Sequence, residues 1–223
     1  NINADIISII HNNALGTTDG ATIVAEGASL SISNNITSAE NITINGTGIS
    51  SNGALRNTAD DNTLTGLITL GSHSEIQIDS GSSLTLNPTS GNAITGTYNL
   101  TIHSVGTSSI NDPIAISTGN IIKTGAGTLT LSGANTYSGD TTISAGTIKL
   151  TGSVNALTDL SIASGATLDL QSTQTFATLD LDGTISNSAG SSELTITGAS
   201  DLGGSITTSG TQDYEGAITL TGN

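Results

Sequence analysis

The chain has 223 residues, 2% of them aromatic, and no Cys, Met or Trp, which argues against a core of large side chains and favours a narrow one of Leu, Ile, Val and Ala. The net charge of −15, with Arg56, Lys123 and Lys149 as the only Lys and Arg residues, makes nucleic acid and anionic membranes poor partners. The lack of cysteine excludes disulfides, and no run of about 18 apolar residues predicts a membrane-spanning helix. The chain begins at Asn1 without Met or a leader, so we expect any signal peptide to have been removed or to lie outside it.

Short apolar/polar alternations of period two predict strands along most of the chain. Low charge and abundant Ser, Thr, Asn and Gly would also suit a disordered chain, but the alternation disfavours disorder. The N-terminal segment Ala4 to Ile10 fits a short helix or a strand equally well. The predicted strands are Thr22–Ala25, Ser29–Ile32, Asn41–Ile44, Leu64–Leu70, Glu75–Asp79, Ser83–Leu86, Tyr98–Ile102, Ile114–Ser117, Thr128–Leu131, Thr141–Ile143, Thr147–Leu150, Leu160–Ile162, Thr167–Leu170, Thr178–Leu181, Glu193–Thr197, Ser205–Thr207 and Ala217–Thr221.

Glycines that open strands recur at a nearly constant interval in the second half. Gly127, Gly146, Gly165, Gly183 and Gly204 are separated by 19, 19, 18 and 21 residues. Such a period predicts stacked coils, each too small to bury its own apolar face. We therefore predict an all-β fold, a single-stranded right-handed parallel β-helix (β-solenoid), over residues 1–223. Roughly 11 coils spaced about 4.8 Å apart give a rod about 50 Å long.

The first half is less regular, and we expect insertions around Arg56–Asn62 and Asn87–Asn92. The alternation also predicts Lys149 and Asp169 as solvent-exposed outward neighbours on consecutive coils, with a net contribution of at most about 1 kcal/mol. The apolar positions predicted to point inward are Leu129, Leu131, Ile143, Ile148, Leu150, Ile162, Leu168, Leu170, Leu179, Leu181, Leu194, Ile196 and Leu220.

The stretch Lys123–Leu150, KTGAGTLTLSGANTYSGDTTISAGTIKL, resembles the autotransporter-associated β-strand repeat, also called the passenger-associated transport repeat. The Lys-Thr-Gly-x-Gly-Thr-Leu-x-Leu opening and the later Asn135 and Tyr137 carry the likeness, whereas Asp140 stands where a second glycine is frequent. Asn41–Leu70 is weakly similar to segments that accompany such repeats. The resemblance places a repeat at 120–154 and implies a secreted passenger of a bacterial autotransporter or large adhesin, with the repeat assisting export and folding outside the cell.

No group of residues predicts a catalytic, cofactor or metal site. His11, His73 and His103 lie far apart and lack partners at metal-ligand spacing, so turn or solvated histidines are expected. Asp60-Asp61 could serve a glycosidase, but the few basic and aromatic residues favour a hydrated loop. Asp180 and Asp182 should face solvent on one strand, where calcium is an alternative that would need further oxygen ligands.

These observations favour a structural, non-enzymatic role as the stalk of a surface or secreted adhesin. An extracellular filament subunit is the first alternative and a carbohydrate-active enzyme the second. We expect an extracellular or cell-surface location, a host or matrix ligand of unknown identity, no cofactor, and no insertion of this segment into a membrane. Neither end shows a cap: Asn1–Ile10 is rich in Ile, and the last predicted strand, Ala217–Thr221, runs almost to the end. We therefore also expect the segment to continue in a longer chain or to associate end to end.

Overall fold

The computed structural model describes residues 1–221, and its strands stack in parallel as a β-solenoid of about 10 turns. Each strand pairs with strands of the neighbouring coils, and one three-residue 3-10 turn, Ile49–Ser51, interrupts the strand and turn structure. The strands are β1 (Ile6–Ile9), β2 (Thr22–Val24), β3 (Ser29–Ile32), β4 (Thr37–Ser38), β5 (Ile42–Gly46), β6 (Leu55–Asn57), β7 (Asp61–Leu64), β8 (Ile68–Ile78), β9 (Ser83–Leu86), β10 (Ile94–Thr95), β11 (Leu100–Ser104), β12 (Thr107–Ile110), β13 (Ile114–Ala115), β14 (Ile121–Thr124), β15 (Thr128–Leu131), β16 (Thr141–Ile143), β17 (Thr147–Leu150), β18 (Leu160–Ile162), β19 (Thr167–Leu170), β20 (Gln174–Phe176), β21 (Leu179–Leu181), β22 (Thr184–Ser186), β23 (Leu194–Ile196), β24 (Ser200–Leu202), β25 (Ser205–Ile206), β26 (Gln212–Tyr214) and β27 (Ile218–Leu220).

Three sheets form the sides of the rod. Sheet A has 15 strands, of which 11 form the main path β1-β3-β6-β8-β11-β14-β16-β18-β21-β24-β27, and the other four (β2, β5, β10 and β13) lie off that path. Sheet B has nine strands, from β4 through β7, β9, β12, β15, β17, β19 and β22 to β25. A third side is built by β2, β5, β10 and β13 with the start of β8 in the first half, and by β20, β23 and β26 in the second.

The core is a stack of aliphatic side chains inside this triangle. Every rung of sheet A places one residue of a single inward column directly over its neighbour, because the parallel register leaves side chains of the same parity aligned. Lys123 is the one charged residue in that column. The column reads Ile7, Leu30, Leu55, Ile76, Ile102, Lys123, Ile143, Ile162, Leu181, Leu202 and Leu220.

Coil length changes along the rod. Register partners are 26 residues apart between Ile76 and Ile102, but 19 residues apart between Ile143 and Ile162. The larger coils carry the irregular loops of the first half, including residues 46–53. The first half is therefore less regular, as predicted, but the insertion predicted around Arg56–Asn62 is wrong, because that segment contains parts of β6 and β7 and the short corner between them.

The sequence located many strands correctly and misread others. Seven predicted strands have the observed bounds, among them Thr128–Leu131 and Thr147–Leu150. The single strand predicted at Leu64–Leu70 is wrong, because Gly66 sits at a corner where a Cβ would collide with the carbonyl oxygen of Glu40. The ambiguous N-terminal segment contains a strand, Ile6–Ile9.

Twelve of the thirteen predicted inward side chains are buried. Leu220 is 76% exposed, because β27 pairs with β24 on one side and has no strand on its other side within the described residues. The predicted register of Lys149 and Asp169 is confirmed, but the predicted exposure of the carboxylate is wrong. Asp169 accepts hydrogen bonds from Ser188 and Gln171, which cover it.

Candidate functional site

The most unusual group in the rod is the buried ammonium of Lys123, at the corner where sheet A turns into sheet B. The side chain is fully buried and makes four contacts, all to backbone carbonyl oxygens. Nζ lies 2.7 Å from Gly125 and 2.8 Å from Thr124 in its own coil. It also lies 3.4 Å from Ser104 on the preceding coil and 3.3 Å from Ala145 on the following one. One side chain therefore joins three successive coils.

Burial lowers the pKa of Lys123 to about 8. The carbonyl oxygens around Nζ favour the protonated amine, since an ammonium offers three donors and no acceptor. The lysine is therefore charged at neutral pH, and its charge is neutralised by backbone dipoles rather than by a carboxylate.

Asn135 joins coils in the same way at the turn that follows sheet B. Its side chain is buried, and Oδ1 accepts the N–H of Ile114 at 2.9 Å from the preceding coil. Its Nδ2 donates to Gly133 at 3.0 Å and to Ser153 on the following coil at 2.9 Å. Because Asn carries both a donor and an acceptor, its side chain bonds to both neighbouring coils, in addition to the backbone bond from the N–H of Asn135 to Ser153.

Tyr137 fills the third side of the same coil. Its ring is completely buried, and its hydroxyl group lies 2.9 Å from Oγ1 of Thr141. Burial raises the pKa of Tyr137 to about 12, so the phenol stays neutral over the accessible pH range. Two coils later, Phe176 occupies the core of the third side.

Lys123, Asn135 and Tyr137 lie in one continuous stretch, and that stretch matches a known family model. Residues 121–150 match the family model described as a passenger-associated-transport-repeat. The match covers β14 to β17, and it confirms the resemblance seen in the sequence. No curated protein and no solved structure matched the chain.

The sequence identified Lys123, Asn135 and Tyr137 as residues of the repeat motif, but it did not predict that they are buried. The signal for Lys123 was available, because it is two residues after Ile121 on one strand and therefore shares its inward parity. Asn135 and Tyr137 lie outside strands, so period-two alternation carried no information about them.

The three histidines remain separate in the structure. His11 is exposed in a turn, where its carbonyl accepts the N–H of Ala14. The Nδ1 of His73 accepts the backbone N–H of Asn99 at 3.0 Å. The Nδ1 of His103 lies 3.0 Å from Oγ1 of Thr124. Two of the three therefore serve local hydrogen bonding between coils.

The adjacent carboxylates of Asp60 and Asp61 accept hydrogen bonds from neighbouring coils. Asp60 accepts the N–H of Asn34 at 2.9 Å, and Asp61 accepts the hydroxyl of Ser83 at 2.6 Å. Asp180 and Asp182 flank buried Leu181 and are exposed, as the alternation predicted. Across residues 1–221, no three His, Asp or Glu side chains meet in an arrangement that could hold a metal ion. None of the helical segments described is long and apolar enough to cross a membrane.

Proposed function

We propose that the chain is a stalk segment of a bacterial adhesin of the autotransporter passenger type, exposed at the cell surface or secreted. The observation that carries the proposal is the passenger-associated-transport-repeat at 121–150, embedded in the rod rather than appended to it. The family suggests a structural rather than a catalytic role and an extracellular location.

The rod geometry supports a spacer function. About 10 turns at about 4.8 Å each extend the chain by roughly 50 Å. Each coil contacts its neighbours through parallel backbone ladders, and polar side chains such as Lys123 and Asn135 add bonds between coils. A rod held by nearest-neighbour contacts keeps its direction and can carry a binding element away from a membrane.

The test is surface display in a Gram-negative host. The chain is placed between a signal peptide and an outer-membrane translocator, and intact cells are probed with an antibody and with external protease. Strong antibody labelling and a protease-resistant rod are the expected results. A chain that stays inside the cells, or is exported but remains fully protease-sensitive, would contradict a stalk role. Binding of displaying cells to immobilised matrix proteins, against cells with the translocator alone, tests the adhesin role.

A second candidate is end-to-end association into a filament, and one observation favours it. Ile6, Ile7 and Ile10 are 44–50% exposed on the first coil, while Ile218 and Leu220 are 49% and 76% exposed on the last. Leu220 and Ile7 are the two ends of one inward column, so head-to-tail stacking of two copies would continue it. Sedimentation velocity over a concentration series tests this: growing rods support a filament, and a constant monomer mass contradicts it.

A further inference from the structure

A column of side-chain acceptors follows the corner where the third side of the rod turns into sheet A. The Nδ1 of His73 accepts the backbone N–H of Asn99 on the following coil at 3.0 Å. The Oδ1 of Asn99 accepts the N–H of Asn120 on the next coil at 3.0 Å, and the Oδ1 of Asn120 accepts the N–H of Asp140 at 2.9 Å. The same bond between coils is therefore made once by an imidazole and twice by an amide.

The two kinds of acceptor respond differently to acid. An amide oxygen accepts a hydrogen bond at any pH, whereas an imidazole accepts only while it is neutral, because both nitrogens of the charged ring are donors. Histidine changes its charge between about pH 5 and 8. The bond from Asn99 to His73 therefore contributes stability above this range and is lost as the pH falls through it.

The surroundings of the ring favour a local and reversible change. Tyr98 packs against the imidazole of His73 in an edge-to-face arrangement, with ring centroids 5.5 Å apart and planes at 77°, and this contact keeps the ring at the corner. His73 is exposed, so protons reach it directly from solvent. Water can also replace the imidazole as the partner of the Asn99 N–H. Protonation should therefore loosen one contact between coils without unfolding the rod.

The other titratable groups on β8 and on the strands paired with it do not make such a bond. Strands β5 and β10 carry none, and β6 carries Arg56, which is paired with Asp79. On β11, the Nδ1 of His103 lies 3.0 Å from the hydroxyl of Thr124, which can donate or accept, so this contact survives protonation of the ring. On β8 itself, burial raises the pKa of the Glu75 carboxyl. The titration of Glu75 must therefore be separated from that of His73 by experiment.

We propose that His73 makes an acid-sensitive joint in the rod. Protonation of its ring releases the N–H of Asn99 and loosens the contact between the coils that contain β8 and β11. The amide-bonded joints at Asn99 and Asn120 on the next two coils stay closed over the same pH range. This inference goes beyond the stalk role, and its failure would leave the surface-display test unaffected.

The experiment is amide hydrogen exchange of the full chain, measured by ¹H–¹⁵N NMR at about pH 5.5 and about pH 7.5, on the two sides of the histidine titration. Exchange rates are first corrected for their intrinsic dependence on pH. Protection of the Asn99 N–H should be about fivefold lower at the acidic pH, the effect of one lost hydrogen bond. Protection of the Asn120 N–H, which is bound to an amide oxygen, should not change and is the internal control. Unchanged protection of Asn99, or equal losses at Asn99 and Asn120, would overturn the proposal.

Two variants assign the effect to one side chain. His73→Asn introduces the amide acceptor that the next two coils already use, so protection of the Asn99 N–H should become equal at the two pH values. Glu75→Gln removes the only other titratable side chain of β8 and should keep the pH dependence of the parent chain. A pH dependence that persists in His73→Asn, or that disappears in Glu75→Gln, would also overturn the proposal.

Discussion

At two corners between sheets A and B, buried polar side chains bond to backbone groups of the neighbouring coils, but the side chains differ. In the first half, Asn57 and Asn62 face each other across the corner, with Nδ2 of Asn62 2.6 Å from Oδ1 of Asn57. The pair accepts the N–H of Ile36 from the preceding coil and donates to Ser83 on the following coil. In the repeat, Lys123 alone reaches three coils and contacts carbonyl oxygens only.

The difference shows what a buried charge adds to a corner. The two amides satisfy donors and acceptors and remain neutral at every pH, whereas the ammonium satisfies acceptors only and stays buried without a carboxylate. Removing a charged group that solvates several carbonyls should cost more than removing a neutral amide. The stability contributed by Lys123, the charged corner, should also depend on pH. The stability contributed by Asn57 and Asn62, the amide corner, should not.

The largest expected effect is the loss of the charged corner. Lys123→Met keeps the length of the side chain but leaves the carbonyls of Thr124, Gly125 and Ala145 without this donor. We expect the free energy of unfolding to fall by about 3 kcal/mol, measured by urea denaturation. Lys149→Met, at a half-buried outward position, is the control and should change it by less than about 1 kcal/mol. Equal effects of the two variants would contradict the role given to Lys123.

The charged corner should also give the rod a distinctive pH dependence. The pKa of Lys123 is about 8 in the folded chain, below its ordinary value of 10.5, so between these values the unfolded chain binds more protons. The stability of the parent chain relative to Lys123→Met should therefore rise as pH increases from about 8 to 10.5. Parallel urea denaturations at several pH values measure this difference, and a difference that stays constant or falls over that window would show that the pKa is not lowered.

A smaller loss is expected at the amide corner. Asn62→Ala leaves the N–H of Ile36 and the carbonyl of Ala59 without their side-chain partner. We expect a loss of about 2 kcal/mol, unaffected by pH between 8 and 10.5. Asn111→Ala is a suitable control, because Asn111 is exposed and its side chain contacts only other side chains. If Asn62→Ala showed the pH dependence of the lysine variant, the contrast between the corners would be lost.

The smallest effect is a gain in stability where the two halves meet. Ser108 sits in the inward column of sheet B between Leu84 and Leu129, beside a small void lined by Ile76, Ile102 and others. Its hydroxyl contacts are long, 3.4 Å each. Ser108→Val should fill the void and raise the unfolding free energy by about 1 kcal/mol. Ser109→Val, which points outward, should have little effect, and destabilisation of Ser108→Val would mean that the site is already full.

The sequence predicted the fold well wherever aliphatic and polar residues alternate. Strands such as Thr147–Leu150 and Thr167–Leu170 have Leu or Ile at each inward position, so period two identified them. Strands Leu55–Asn57 and Thr107–Ile110 were missed, because Asn57 and Ser108 are polar residues that face inward. The register of Lys149 and Asp169 followed from alternation alone, whereas the burial of Asp169 depends on Ser188 from the next coil.

The candidate sites were harder to predict for the same physical reason. Ser29 directly precedes inward-facing Leu30, so alternation places Ser29 on the outer face of sheet A, yet its side chain is buried. Its burial results from a loop about 20 residues further along the chain, and no local pattern records that approach. The sequence motif identified the repeat, but it did not reveal that Lys123 bonds to three successive coils.

The Lys and Arg side chains of the rod are all engaged with other groups. Lys123 is buried, Arg56 is paired with Asp79, and Lys149 lies beside Asp169. Burial alone would raise the pKa of Asp169, but hydrogen bonds from Ser188 and Gln171 and the charge of Lys149 outweigh it and lower that pKa. The flanks therefore present an acidic surface to any neighbour. In a crowded layer such rods would repel sideways over a Debye length of about 8 Å at physiological salt, so the spacing of the layer would contract as ionic strength rises.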